Sequence, residues 1–314
     1  MSEITVNELT FASSSGLCDI FVRKLAPADA GDVRAVFQIT HGMAEHTERY
    51  LDFARFMAEH GFAVYMQDHL GHGKSMRNAD EAGFFGEKNG DITLVEDTKL
   101  LTDLAKEQNP GKKLILFGHS MGSFIARSYL AKYGSLVDAA IICGTSGANP
   151  GAGIGRQVAV ITAKKNGSHF RSEFINSLAF SSYNKRIKNA RTPFDWLTRD
   201  EAVVDKYIDD PLCGFLFTAA GYRDLFSLLK GISARSWYAN VPYPLPIFLI
   251  AGEEDPVGSY GKGVKEVARL LKDTAHTAVS IKLYPGCRHE LLNELSKDEV
   301  YSDILDFSER IITQ

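Results

Sequence analysis

The stretch Leu114–Gly122 reads Leu-Ile-Leu-Phe-Gly-His-Ser-Met-Gly, a serine between two glycines that follows four apolar residues and precedes an amphipathic segment. On a tight turn from a buried strand into a helix, such a serine projects at the end of a sheet. Side chains two residues to either side would collide, which Gly118 and Gly122 avoid. A serine hydroxyl is a weak nucleophile and needs a base within hydrogen-bond reach, itself oriented by a third group. Sites built this way carry their partners in the chain order serine, acid, histidine. His289 lies in the loop after the strand-like run Val279–Tyr284, where the base belongs; His276 precedes that run and falls at the opposite edge. Three acids, Glu253, Glu254 and Asp255, follow the run Pro246–Ala251. Asp255, ahead of Pro256, suits a rigid loop reaching towards the histidine, with Glu254 as the alternative. The chemistry implied is acyl transfer, with Ser120 as nucleophile, His289 as general base and Asp255 fixing the imidazole tautomer. Donors for the developing oxyanion are the backbone N–H of Met121 and, after the bend at Gly42, that of Met43; losing one such donor typically costs about 10²–10³ in rate. His119, inside the motif, is expected to point away from the serine in a structural role.

These residues need strands and helices to hold them. Ile4–Phe11 and Leu17–Leu25 read as alternating strands, and Val33–Thr40, Phe62–Gln67, Leu114–Phe117, Ala139–Cys143, Pro246–Ala251 and Val279–Tyr284 as further ones. Between them the helical period marks Tyr50–His60, a helix capped at Asp91 or Thr93 and running to Lys106, Met121–Tyr133, Gly263–Lys272 and a last helix from Lys297. Wholly apolar strands alternating with helices predict an α/β fold, a mostly parallel central sheet covered on both faces. From Gly144 to Tyr243 the alternation stops, and a gap of about a hundred residues is too long for an unstructured loop in a compact domain. The reading is a core of residues 1–144 and 243–314 with an inserted helical cap over 145–242, lying on the sheet's carboxyl edge.

The chain has 314 residues, 45% apolar and 24% charged, with a net charge of −4 and no basic block, which argues against a nucleic-acid partner. Its four cysteines, Cys18, Cys143, Cys213 and Cys287, are widely spaced and do not form a disulfide framework, so a reducing, cytoplasmic setting is expected. The start Met1-Ser2-Glu3-Ile4 carries no signal-peptide pattern, and no apolar run reaches the roughly 18 residues of a transmembrane helix. His41, His46, His69 and His72 raise a metal reading, but no carboxylate or cysteine completes a familiar spacing. No Gly-rich dinucleotide motif opens a helix after a strand. Neither metal nor cofactor is expected.

Five segments, in order, resemble the monoacylglycerol lipase and lysophospholipase-like branch of the α/β-hydrolases, which includes serine aminopeptidase-like members. They are His41–His46 with Arg49-Tyr50, Asp68–Ser75, Gly118–Gly122, Gly252–Pro256 and His289-Glu290. The resemblance spans Val33–Cys143 and Pro246 to the end; in the cap it is confined to Trp196–Asp200 and Asp209–Cys213. It implies the α/β-hydrolase fold and hydrolysis of a carboxylic ester with one acyl chain and a small polar head, a small-molecule substrate. By the same resemblance Glu45 and Arg49 form a polar pair that contacts the head group; helix-start chemistry with an i, i+4 ion pair accounts for them equally. Glu290 reads as a helix-start acid. In the cap, Lys164-Lys165, Lys185-Arg186 and Lys188 interrupt an apolar face, while Phe215 and Phe217 with Tyr222, Leu225, Phe226, Leu228 and Leu229 are spaced as one helix face. This allows transient contact of the cap with a membrane surface and leaves a short- or medium-chain esterase open. An aminopeptidase or amidase would use the same triad with Asp209 and Asp210 receiving an amino group. A non-catalytic ligand receptor is the third class. Serine at position 120 excludes the aspartate-nucleophile dehalogenases and epoxide hydrolases.

Overall fold

The computed structural model describes residues 3–313. Eight strands form one sheet, β1 (Ile4–Ala12), β2 (Asp19–Pro27), β3 (Ala35–Thr40), β4 (Phe62–Gln67), β5 (Leu114–His119), β6 (Ala139–Cys143), β7 (Ile247–Gly252) and β8 (Val279–Tyr284), in the order β1-β2-β4-β3-β5-β6-β7-β8. The pairs β1–β2 and β2–β4 are antiparallel; every later pair is parallel. Successive side chains of a strand point to opposite faces, and in β3 to β7 both faces are dry. In β5, Leu114 and Leu116 join one apolar layer while Ile115 and Phe117 join the other, all four fully buried. The first layer receives α2 (Gly90–Gln108), α3 (Met121–Tyr133) and α9 (Lys262–Asp273); the second receives α1 (Leu51–Glu59) and α10 (Lys297–Ile312). Each large apolar side chain so buried contributes roughly 1.5–3 kcal/mol, which is why the mostly apolar strands take the central positions.

Several boundaries differ from the sequence reading by one or two residues, β2 (Asp19–Pro27 rather than Leu17–Leu25) and β3 (from Ala35 rather than Val33) among them, and two differences have a visible cause. Helix α2 begins at Gly90 rather than at a cap on Asp91 or Thr93, because the Thr93 N–H already donates to the carbonyl of Asn89, a residue in the left-handed region at φ 58°. Phe215 and Phe217 precede their helix. Thr218 caps it by accepting the Gly221 N–H, so the helix starts at Ala219 and the two aromatics lie in a loop.

Between β6 and β7 lie five helices and no strand of the sheet: α4 (Ala152–Asn166), α5 (Glu173–Phe180), α6 (Glu201–Asp209), α7 (Ala219–Ser233) and α8 (Arg235–Asn240). One side chain holds both roots of this insert. Arg127, on α3 and fully buried, donates to the carbonyls of Ser146 (2.7 Å) and Ile232 (2.8 Å) and lies over the Trp237 ring at 4.2 Å. Burial pushes its guanidinium down to about 10.

The parallel strands end at a common edge, as the pairing of Thr40 with Gly118, His119 with Cys143 and Gly252 with Tyr284 shows. There α3 presses against the end of β3 so closely that a Cβ on Gly122 would stand 2.1 Å from the Thr40 carbonyl oxygen. On Gly118 it would stand 2.5 Å from the Gly122 carbonyl. Gly122→Ala therefore forces α3 off the sheet, and we expect a loss of at least about 1–3 kcal/mol, typical of overpacking. A denaturant-unfolding midpoint equal to that of the unaltered protein would contradict this close approach.

Candidate active site

Ser120 sits at this edge with φ 54° and ψ −120°, a conformation that only surrounding structure can enforce on a residue with a side chain. Its N–H is held by the Cys143 carbonyl at 3.0 Å, and its own carbonyl accepts from Ser123 Oγ at 2.6 Å. The next amide, that of Met121, is the first of α3 and one of the four that a helix leaves without an internal acceptor. His289 comes from the loop after β8. Its Nδ1–H donates to Asp255 Oδ1 at 3.0 Å, while Nε2 is buried with no hydrogen-bond partner among the described residues. Of the three acids after β7, Asp255 alone reaches the histidine. It is fully buried and also accepts the Val257 N–H at 2.8 Å, whereas Glu253 and Glu254 are exposed.

Met43 lies in the loop after β3, and three neutral imidazoles build the floor of that loop. His41 Nδ1–H donates to the Gly42 carbonyl (2.8 Å) and its Nε2 accepts the His69 N–H (3.0 Å). His69 Nε2–H returns to the His41 carbonyl (3.2 Å), and its Nδ1 accepts from Gln67 (3.4 Å). His72 donates to the Leu70 carbonyl and accepts the Ala44 N–H, both at 3.2 Å. Burial drives all three down, His41 and His72 to about 3, so each ring keeps one tautomer. With every ring nitrogen engaged, this cluster is a scaffold with no free lone pair for a metal.

Glu45 completes the loop. Its Oε1 accepts the Gly42 N–H (2.5 Å) and the Tyr50 hydroxyl (2.7 Å), with His119 Nδ1 at 3.4 Å; its Oε2 pairs with Arg49 (2.6 Å). Arg49 grips Glu290, next to His289, through both carboxylate oxygens at 2.6 Å each. Burial alone would raise the Glu45 carboxyl, but His119 and Arg49 outweigh it and hold it well below the usual range. Burial likewise opposes charge on His119, yet the Glu45 hydrogen bond and charge win and raise it. His119 Nε2 faces the His289 carbonyl at 3.3 Å, so both its nitrogens have acceptors when protonated.

The insert also grips both loops. The Ala44 carbonyl accepts from Gly214 N–H (2.9 Å) and the Tyr207 hydroxyl (3.1 Å), and the Tyr207 ring covers Arg49 at 4.8 Å. The His289 N–H donates to the Trp196 carbonyl (3.4 Å), and the two rings lie 5.0 Å apart. None of Tyr207, Trp196 or Glu290 was singled out for this site by sequence reasoning. Their partners lie far along the chain, and β5, β6 and β7 separate β3 from β8 in the sheet, so neither chain distance nor strand order signals that the two loops converge.

A cavity of about 810 Å³ opens over Ser120 and His289. Its polar end is made by Gly42, Met43, Glu45 and Glu290; Arg49 lies behind that wall. Phe124 from α3, Leu225, Phe226 and Leu229 from α7, and Phe180, Trp196 and Phe215 supply the apolar lining, which Asn149, Asn176, Ser177 and Asn184 interrupt. The α7 face is thus divided: Leu225, Phe226 and Leu229 also line the cavity, whereas Tyr222 and Leu228, with Phe217 of the preceding loop, only fill the core. At the mouth, Ile154 and Leu178 line the cavity while 69% and 55% exposed.

The family described as serine aminopeptidase, S33, matches residues 31–296. The chain belongs to this family. It is 30% identical over 278 residues to the monoacylglycerol lipase of Mycolicibacterium smegmatis, covering 87% of each chain. To the human monoglyceride lipase it is 27% identical over 279 residues, covering 88% of this chain and 81% of that one. A highly thermostable carboxyl esterase from Bacillus coagulans, solved in complex with glycerol, superposes with a TM-score of 0.92 at 34% identity over 99% of both chains. This S33-family member is therefore an α/β-hydrolase of monoacylglycerol-lipase-like type and a serine ester hydrolase. No helix among its described residues is long and apolar enough to cross a membrane.

The raised His119 generates a pH dependence. A native pKa above 6.5 gives stability that is fully present below that value and is lost as pH rises through the native one. His119→Gln should therefore cost more stability near pH 5.5, below the ordinary histidine value, than near pH 9. Equal losses in denaturant melts at the two pH values would show that His119 is not charged.

Proposed function

We propose that the enzyme hydrolyses carboxylic esters bearing one acyl chain, of the monoacylglycerol or lysophospholipid kind, through an acyl-enzyme on Ser120. The observation that carries this is the cavity, which sets apolar side chains of α7 and Phe124 together with Glu45 and Glu290 around Ser120 and the His289–Asp255 pair. The acyl chain lies along α7 and Phe124, with the ester carbonyl at Ser120. The bare Nε2 of His289 takes the hydroxyl proton as the serine oxygen attacks the carbonyl carbon. Asp255 holds Nδ1–H and stabilises the imidazolium without accepting its proton. The N–H groups of Met43 and Met121 receive the oxyanion. His289 then protonates the leaving alcohol, and a water activated by the same histidine releases the acid. Glu45, at the polar end, is a contact for the alcohol's hydroxyls, and Arg49 acts through it.

In this reading residues 145–242 form the cap, and the apolar lip at Ile154 and Leu178 accepts chains presented at a lipid surface. Four free cysteines support a reducing, cytoplasmic location. The peptidase alternative needs an unpaired acid in the cavity. Asp209 is exposed, Asp210 is bound to His46, and neither lines it; the acids that do, Glu45 and Glu290, are both paired with Arg49.

Purified enzyme assayed on p-nitrophenyl esters of increasing chain length, monoacylglycerols and aminoacyl-anilides should turn over the esters and leave the anilides intact. Cleavage of anilides without ester hydrolysis would sink the proposal. Ser120→Ala should abolish fluorophosphonate labelling and lower kcat by about 10⁴-fold or more, and Asp255→Asn by roughly 10³–10⁴-fold. Glu254→Gln should leave kcat unchanged; a collapse there instead would reassign the orienting acid.

A further inference from the structure

His46 stands apart from the other imidazoles of its region. It follows Glu45 in the loop after β3, and its Nε2 meets the Asp210 carboxylate at 2.8 Å, 164 residues away in the insert. Asp210 opens a tight turn. Its Oδ1 accepts the Leu212 N–H at 2.8 Å and its carbonyl the Cys213 N–H at 3.0 Å, which brings the Cys213 thiol back beside the carboxylate. One nitrogen of His46, one oxygen of Asp210 and the sulfur of Cys213 all lie within 4.8 Å of one another. Bonds of about 2.0–2.3 Å to zinc place tetrahedral donors roughly 3.3–3.8 Å apart, so the three donors converge on one ion after a small opening of the His46–Asp210 contact. The side chains of His46 and Asp210 are 5% and 30% exposed, which leaves Asp210 as the entry side, where water supplies the fourth ligand.

We propose that His46, Asp210 and Cys213 form a site for a thiophilic divalent cation such as Zn²⁺, which staples the loop carrying Met43 to the inserted helices. The ion displaces the thiol proton, so binding releases a proton and the thiolate becomes its ligand. Burial keeps that thiol protonated otherwise, its pKa raised. The groups facing the site are Glu45, Glu290 and Asp210 against Arg49, three carboxylates to one guanidinium, with His119 behind Glu45. With Glu45 and Glu290 both paired to Arg49, Asp210 is the carboxylate left without a guanidinium partner, facing the thiol and His46. The loop so stapled already leans on the insert through the Ala44 carbonyl, so occupancy restrains the cap relative to Ser120. Turnover of the esters assigned above falls reversibly, a consequence that rests on that assignment, whereas binding does not.

The test uses the full chain and metal salts alone. Zinc should bind one per chain by calorimetry at micromolar concentration and raise Tm. Cobalt(II) in its place should give a thiolate-to-cobalt charge-transfer band and tetrahedral ligand-field bands. Cys213→Ser should remove the charge-transfer band and weaken zinc binding by about 100-fold or more, while keeping the zinc-free ester activity; His46→Gln should weaken binding in the same way. No stoichiometric binding by the unaltered protein, or binding that survives in Cys213→Ser, overturns the site. Zinc that binds as described and leaves ester turnover unchanged overturns the restraint on the cap.

Discussion

The constraint on which the site depends is the approach of Gly122 to the end of β3, backbone against backbone with no room for a Cβ. It sets the first turn of α3 against the end of the strand that leads into the loop carrying Met43, and Met43, Ser120 and Met121 all line the same cavity. Thr40 reinforces the contact, its hydroxyl donating to the Phe117 carbonyl at 2.8 Å and lying 3.2 Å from that of Gly122. A helix standing an ångström further out would carry Met121 away from Met43, and the Ser120 backbone would relax from its strained angles.

A second layer of control is electrostatic. Glu45, Arg49 and Glu290 join the loops after β3 and β8 through a buried acid–base–acid chain, with His119 and Tyr50 closing it. Buried ion pairs contribute little net stability once desolvation is counted, and their best-attested use is to select one arrangement. That fits their place here: each member touches a residue adjacent to Met43, Ser120 or His289, and none meets the apolar part of the cavity. The neutral imidazoles of His41, His69 and His72 do the same work without charge, each ring locked by backbone groups.

The fold was legible in the sequence because its information is local. Strands without polar residues announce a sheet buried on both faces, and Gly118 and Gly122 announce the close turn between them. Ser120 and His289 were placed by the strand ends beside them for the same reason. Among the three acids after β7, only the neighbouring Pro256 set Asp255 apart along the chain; in three dimensions it lies inside and its neighbours outside. Glu290 read as a helix-start acid because its partner Arg49 lies 241 residues away. The apolar positions of α7 followed one helical period, yet Leu225, Phe226 and Leu229 face the cavity while Tyr222 and Leu228 fill the core. Periodicity distinguishes the buried face of a helix from the exposed one and carries no information about whether a buried face meets protein or space.

The clamp at Arg127 has a consequence for how such a protein diversifies. By holding the carbonyls of Ser146 and Ile232 together, one guanidinium closes the insert into a loop whose ends are fixed to the sheet. The entropy of closing a long loop grows only logarithmically, about 0.6 kcal/mol for each doubling of length. Segments added between those two anchor points therefore weigh little on the rest of the molecule. The insert can grow, shrink or be reshaped over generations as a replaceable module, while the socket that receives it stays constant.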